Sequence, residues 1–311
     1  MFEDKIVLVT GGTGSFGHQI VKELLKYKVK EIRIYSRGED KQYRMRSEFP
    51  QQNIKFIIGD VRDYNRLLES TDNVDIIYHA AALKQVHLIE KHPLEAIKTN
   101  IYGTINVKRA AIENGVKKTI LISTDKAVKP INAYGMTKAL AEKVLINNEF
   151  LNDSKFSVVR YGNVIGSTGS VIPLFKKLVN EKKTLTITDK RMTRFLITLK
   201  QAINLVLYCT ENMRGQEIFV PKLPACKIID LAKIIGGEKY PIKTIGIRPG
   251  EKIHECLVQE DEMRRAVSVE GNFIIGPYGS YSNLEGEFTS ANTLRLNKKQ
   301  LRELIEKSGC L

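Results

Sequence analysis

Along the first half of the chain, short apolar runs alternate with longer segments whose apolar residues recur at helical spacing. KIVLVT (5–10), EIRIYS (31–36), IKFIIGD (54–60), DIIYHAAA (75–82) and KTILIST (118–124) are rich in Ile and Val, and each gives way to polar residues or glycine. Runs this continuously apolar predict strands buried on both faces. Between the first two, SFGHQIVKELLKYK sets Ile20, Val21, Leu24 and Leu25 on one helical stripe. The longest predicted helical stretch runs from about Pro93 to Gly115. A further helix carries Tyr134 and Lys138, and FSVVRYGNV (156–164) follows it as a strand. Strands separated by helices imply a parallel sheet covered on both sides.

Beyond residue 165 the rhythm loosens. VIPLFKKLVNEKK, LKQAINLVLYCTEN and KKQLRELIEKSG predict helices. LTITD, TRFLIT, EIFVP, YPIKTIGI and NFIIGPY predict short strands, and a polar stretch from about Gly279 to Asn292 predicts a loop. No repeat, low-complexity tract or long linker divides the chain. The expected organisation is a nucleotide-binding domain over 1–165 and a smaller α/β substrate-binding region over 166–311, packed on and interleaved with the first.

The 311 residues suffice for one large α/β domain or two smaller ones. No apolar run approaches the roughly 20 residues a membrane-spanning helix needs. The opening MFEDKIVLVTGG has no basic leader and enters a strand directly, so a cytoplasmic protein is expected. The four cysteines, Cys209, Cys226, Cys256 and Cys310, form no CxxC pair and lie near no His cluster, which predicts reduced thiols and no metal site. A formal charge of +14 favours anionic partners. Nucleic acid is not expected among them, because no zinc-finger, RNP or Arg-rich signature is present.

The segment TGGTGSFG (10–17) sets Gly11, Gly14 and Gly17 between a predicted strand and a predicted helix. Glycines there let the backbone approach a pyrophosphate, and the helix N-terminus supplies unpaired N–H groups. The fold expected from this context is α/β, a Rossmann-type doubly wound parallel sheet, and Thr13, Ser15 and Phe16 fall within its phosphate-binding turn. The second strand ends in Ser36 and Arg37, with Lys41 close behind, where an acidic residue would hold a free ribose 2′-hydroxyl. These groups suit a 2′-phosphate, so NADP is expected over NAD. Asp60 and Val61 are expected to meet the adenine, while Ala80, Ala81 and Ala82 leave room for the cofactor at a strand end.

STDKAVKPINAYGMTK (123–138) holds Tyr134 and Lys138 one helical turn apart. A tyrosine in water is a weak acid, with a pKa of about 10. A neighbouring ammonium favours its phenolate, which can take an alcohol proton as a hydride leaves the same carbon. Ser123 or Thr124 can hydrogen-bond that alcohol. Asp125 and Lys126 add two opposite charges at the mouth of the strand.

These motifs resemble the extended short-chain dehydrogenase/reductases. The blocks GDVRD (59–63), HAAALKQV (79–86), STDKAVKPINAYGMTK, RYGNV (160–164), GSVIPLF (169–175), RMTRFLIT (191–198), GQEIFVPKLP (215–224) and IGIRPGEKIHE (245–255) are similar, more narrowly, to UDP-N-acetylglucosamine 4,6-dehydratases of the configuration-inverting, pseudaminic-acid type. The resemblance implies that Lys126 removes the C5 proton, that Asp125 protonates the departing C6 hydroxyl, and that hydride returns from the cofactor to C6 before Lys126 reprotonates C5 from the other face. Burial favours the neutral forms this requires, whereas a direct ion pair opposes them. The resemblance also adds Asn100 and Val164 to the cofactor pocket. It turns Arg194 and Arg248 toward the nucleotide, Glu251 toward the ribose, Asn163 toward the diphosphate, and Lys84 and Val171 toward the substrate. Relatives form hexamers, so a homo-oligomer is implied.

His87, Thr168 and Arg295 depart from the pattern, which has Pro, Arg and an aromatic residue in their places. The rival readings are a retaining dehydratase, a dehydratase/epimerase of L-fucosamine-type pathways, and a non-catalytic NADP sensor on the same fold. Tyr134 argues against relatives that carry Met there, and an intact Tyr134/Lys138 pair argues against the sensor.

Overall fold

A computed structural model describes residues 1–147, 153–167, 169–277 and 280–311. The predicted strands assemble as β1 (Ile6–Thr10), β2 (Glu31–Ser36), β3 (Ile54–Ile58), β4 (Ile76–His79), β5 (Lys118–Thr124) and β6 (Lys155–Tyr161). They run parallel in the order β6-β5-β4-β1-β2-β3. All five residues of β1 are buried, as a central strand covered by helices on both faces requires. Helix α1 (Ser15–Leu24) buries Ile20, Val21 and Leu24, three of the four residues that made its stripe.

Beyond β6 the main sheet continues with strands from the second half of the chain. Ile218–Pro221 pairs parallel with β6, then Asn272–Ile275 and Ala266–Val269 add antiparallel edges. The remainder of the second half closes a separate apolar cluster. It holds Phe175 from the Val171–Asn180 helix, Leu231 from Ile228–Gly236, and Leu301 and Ile305 from Lys298–Lys307. The chain thus passes back and forth between two cores several times.

Four sequence expectations change in detail. The long helical stretch is interrupted by a π-helical turn, Ile97–Tyr102, between Pro93–Ala96 and Gly103–Glu113. FSVVRYGNV is two strands, because the backbone turns at Gly162 into Asn163–Val164, which pairs with Thr193–Ile197 instead. A Cβ at Gly162 would lie 2.5 Å from Phe195 Cβ, so only glycine permits that crossing. The Ile228–Gly236 helix lies in an apolar run that predicted no element, and the expected loop contains a short strand, Phe288–Thr289. Gly279 and Thr168 lie outside the described residues. Among the described residues no helix is long and apolar enough to cross a membrane, and no His, Cys, Asp or Glu cluster could hold a metal.

Candidate active site

The predicted site residues converge at the carboxyl ends of β1, β2, β4 and β5, where open α/β sheets bind ligands. Gly11 has φ +66°, and a Cβ there would sit 2.8 Å from the Ala81 backbone. The turn after β1 therefore lies directly against the Ala80–Ala82 strand end. Gly14 caps α1 without any side-chain hydrogen bond, and a helix N-terminus set against a strand end in this way suits an anionic ligand group. Phe16 packs on the core and Gly17 is buried, while Thr13 is on the turn itself.

A buried relay beneath this turn had no sequence signal. Thr104 Oγ1 donates to Asn100 O at 2.6 Å, so it accepts from His79 Nε2 at 3.1 Å. His79 Nδ1 then accepts from Thr10 Oγ1 at 2.7 Å. Burial, aided by Lys138, pushes His79 down to about 3, so it stays neutral and fixes the end of β4. Asn100 is 2% exposed. Its side chain receives Leu83 N (2.8 Å) and donates to Leu83 O (3.0 Å) and Thr137 Oγ1 (3.0 Å). It therefore does not present a free polar group to a cofactor, and it acts on the pocket by holding the loop that carries Lys84.

At the ends of β2 and β3, Arg37 is half exposed, with Nη1 3.5 Å from Asp60 Oδ2. Ser36 is buried and accepts from Gln42 Nε2 at 3.0 Å, and Lys41 lies exposed beyond Gly38. Asp60 also binds Arg62 at 2.6 Å; burial would raise its carboxyl, but Arg62 and then Arg37 hold it below the usual range. Val61 is 4% exposed, packed where a Cβ on Gly103 would strike it.

The catalytic candidates meet within one turn. Thr124 ends β5, and Asp125–Ala127 form a single 3-10 turn. Asn132 caps the Ala133–Ile146 helix by accepting from Gly135 N at 2.7 Å. That brings Tyr134 close to Thr124, whose Oγ1 donates to Asp125 Oδ1 at 3.0 Å. Burial pushes the Tyr134 phenol up to about 12. The charge that opposes this rise is Lys126, not Lys138 as expected from spacing. Lys138 is buried, its Nζ donating to Ile122 O at 2.8 Å, and burial takes it down to about 8 against the pull of Glu142. The choice left open between Ser123 and Thr124 also resolves: Ser123 points away and donates to Glu142.

Asp125 is wholly buried, and Lys126 Nζ lies 3.0 Å from its Oδ1. Burial raises Asp125 more than the ion pair lowers it. For Lys126 the balance is opposite: Asp125 and Glu255 hold its ammonium up against burial. The two effects weighed at the sequence level thus divide between the two residues.

In the second half, Asn163 Oδ1 and Ser170 Oγ are buried without hydrogen-bond partners. Ser170 caps the helix that starts at Val171, and a Cβ on Gly169 would meet Gln85, which places Gly169 against the loop following β4. Val164 sits beside Asn163 in its strand. Arg248 is exposed, its Nη1 3.9 Å from Glu251 Oε1, on a loop tied to the Tyr134 helix through Asn132 Nδ2 and Gly250 O (2.8 Å). Arg194 departs from its expected direction. It is 9% exposed and donates to Thr193 O, Ile253 O and Lys252 O, with Nε 3.5 Å from Glu255 Oε1. Its guanidinium is committed to backbone carbonyls, so it builds the wall of the site and is not a free phosphate fork. Lys84 and His87 are exposed, and Arg295 Nη2 donates to Ala291 O at 3.2 Å.

Residues 7–277 match the family model described as polysaccharide biosynthesis protein. The chain is 47% identical to the UDP-N-acetylglucosamine 4,6-dehydratase (inverting) of Campylobacter jejuni, over 93% of this chain and 88% of that protein. It is also 47% identical to a Rickettsia bellii protein named UDP-glucose 4-epimerase, over 98% of this chain and 96% of that one. The X-ray structure of Pen from Bacillus thuringiensis superposes with a TM-score of 0.95 at 38% identity, covering 100% of this chain and 99% of that one.

Proposed function

The chain belongs to the polysaccharide biosynthesis protein family of extended short-chain dehydrogenase/reductases, and from that premise we propose that it is a UDP-N-acetylglucosamine 4,6-dehydratase that inverts C5 and uses NADP. The observation that carries this reading is the Asp125–Lys126 pair, 3.0 Å apart with Asp125 wholly buried, next to Thr124 and Tyr134. A 4-epimerase has to move hydrogen at one carbon, for which Thr124 and Tyr134 suffice. Removing a C5 proton and a C6 hydroxyl needs a second base and a second acid.

The cradle of Gly11, Gly14 and the uncapped start of α1 fits a dinucleotide, which when bound supplies reversible hydride transfer at the sugar. Tyr134, steadied by Thr124, takes the C4 hydroxyl proton. Lys126 Nζ bonds the C5 proton, and the electron pair of that C–H bond moves into the C5–C6 bond. The C6–O bond breaks with its own pair, and the oxygen leaves as water with the proton of Asp125. Lys126 later returns a proton to C5 on the opposite face, balancing the hydride returned to C6 from the dinucleotide. The unpartnered Asn163 Oδ1 and Ser170 Oγ support a polar ligand group between the two cores, and Arg248 and Glu251 support a nucleotide at its rim.

Arg37, half exposed beside Asp60 and Lys41, supports the 2′-phosphate assignment. Arg37→Ala should weaken NADP at least about tenfold more than NAD in a fluorescence titration, the loss of a charge-assisted contact. Equal losses would remove Arg37 from that role. The exposed pair Met136 and Leu140, one turn apart on the Tyr134 helix, supports a homo-oligomer.

The function is tested by incubating the protein with UDP-N-acetylglucosamine in heavy water and following the sugar by proton NMR. A 4-keto-6-deoxy product with deuterium at C5 and the L-arabino configuration is expected. The same product with C5 configuration unchanged would replace inversion by retention. The name carried by the Rickettsia relative supports one second reading, a 4-epimerase. It predicts a C4 epimer that keeps its C6 hydroxyl and gains no deuterium at C5.

A further inference from the structure

Glu255 has no part in the steps above; it ends the block IGIRPGEKIHE, whose resemblance implies no role for it. Its side chain is 3% exposed. Oε1 lies 3.6 Å from Lys126 Nζ and 3.5 Å from Arg194 Nε. Oε2 lies 3.9 Å from Lys252 Nζ and has no hydrogen-bond partner. The backbone fixes it in place: Glu255 N donates to Ser290 Oγ at 2.9 Å, and Glu255 O accepts from Ser290 N at 2.8 Å. Lys126 therefore sits between two buried carboxylates, at 3.0 Å from Asp125 and 3.6 Å from Glu255.

The dehydratase reading places conflicting demands on Asp125. It must hold a proton for the leaving hydroxyl, yet a lysine acquiring a proton in a buried site needs an anion beside it. One carboxylate cannot meet both demands at the same moment, whereas two can. We propose that Glu255 is a positioning residue for the reaction, the standing counter-ion that receives the charge forming on Lys126 and leaves Asp125 to carry the proton. The proposal rests on the dehydratase reading for the acid, but the counter-ion role is independent of any substrate.

The surrounding charges divide the carboxylates accordingly. Burial would raise Glu255, but Lys126, Arg194 and Lys252 together hold it below the usual carboxylate range. Asp125 pairs directly with Lys126, with Lys252 acting on it at longer range; burial and the Glu255 charge keep it up. Lys126 feels Asp125 and Glu255 against burial and Arg194. Two carboxylates pushed apart in this way mark one permanent anion and one acid. Turnover then needs one proton shared by Asp125 and Lys126: a second removes the base, and loss of the last removes the acid. Removing the Glu255 charge lowers both titrations, so both limbs of the pH profile move to lower pH.

The test pairs a chemical readout with turnover in the full chain. Lys126 keeps 23% of its side-chain surface, enough for trace labelling by acetic anhydride, read by mass spectrometry against an exposed lysine. In Glu255→Gln, labelling of Lys126 at pH 9 should rise at least about tenfold, since one unit of amine pKa is about tenfold in free amine. Turnover should fall, with both limbs displaced toward acid. Glu255→Asp, which keeps the charge one methylene further away, should shift labelling less. Unchanged labelling in Glu255→Gln overturns the proposal, as does a loss of turnover with both limbs unmoved. Should Glu255→Gln fail to fold, unchanged labelling in Glu255→Asp overturns it in the same way. Faster labelling in a protein whose wild type leaves UDP-N-acetylglucosamine untouched would refute the dehydratase reading and leave the counter-ion role supported.

Discussion

Lys126→Ala should stop both product formation and deuterium entry at C5 while leaving the dinucleotide bound. The loss expected is at least about a thousandfold, within the range for removing a positioned acid or base. The cofactor cradle is built from the turn after β1 and the ends of β2 and β4, none of which Lys126 touches, so cofactor affinity is the internal control. Alanine also leaves Asp125 and Glu255 buried without the ammonium between them, which costs stability regardless of chemistry. Lys126→Arg separates the two effects. It restores a cation between the carboxylates, but a guanidinium does not lose its proton in a protein. Lys126→Arg should therefore melt close to wild type and still fail to exchange C5. Near-normal exchange in Lys126→Arg would show that Lys126 supplies charge only, and the base would have to be sought elsewhere.

How far the site can be read from sequence depends on whether an element's partners are near it in the chain. The central strands β1 and β4 are legible because burial on both faces makes each a continuous apolar run, and even the edge strand β3 keeps an Ile-rich run. The phosphate turn and the Tyr134–Lys138 turn are legible because their chemistry is local, one spacing on one helix. The helix Ile228–Gly236 is harder to see: Ile228, Leu231 and Ala232 recur at helical spacing, but a largely apolar run of 9 residues is also compatible with a strand. The inward turn of Arg194 is equally hidden: it depends on the carbonyls of Lys252 and Ile253, which the fold brings to it from another loop. Lys138 illustrates the limit of spacing arguments. The i, i+4 rule sets it near Tyr134, but its ammonium reaches Ile122 O, and the charge acting on the phenol comes from Lys126. Glu255 could only be found in space.

Arg160→Leu should destabilise the protein by about 3–5 kcal/mol, the cost of leaving buried carboxylates without their cation. Arg160 is 2% exposed, and its guanidinium reaches three elements. Nη2 meets Glu142 Oε2 at 2.6 Å on the Tyr134 helix, Nη1 meets Glu262 Oε2 at 2.9 Å, and Nη1 donates to Leu257 O at 2.9 Å. One cation therefore joins the catalytic helix to the strand and turn that follow Glu255. The pH dependence distinguishes this from simple loss of packing. In the wild type, burial would raise Glu262, but Arg160 outweighs it and holds the carboxyl below its ordinary value. That share of stability is present above the unfolded carboxylate pKa and is lost as pH falls through the folded value. Without Arg160, only the Gln259 amide and Arg265 oppose burial, the carboxyl rises, and protonation relieves the variant. Thermal melts should thus show a deficit on the order of 10 °C near neutrality that narrows on acidification. Replacing all three charged groups together, as Arg160→Met with Glu142→Leu and Glu262→Leu, should recover much of the loss, since no charge is then left unpaired. A single variant that melts with the wild type at neutral pH, or a deficit that widens in acid, would mean that the cation is not what holds the catalytic helix to the strand and turn after Glu255.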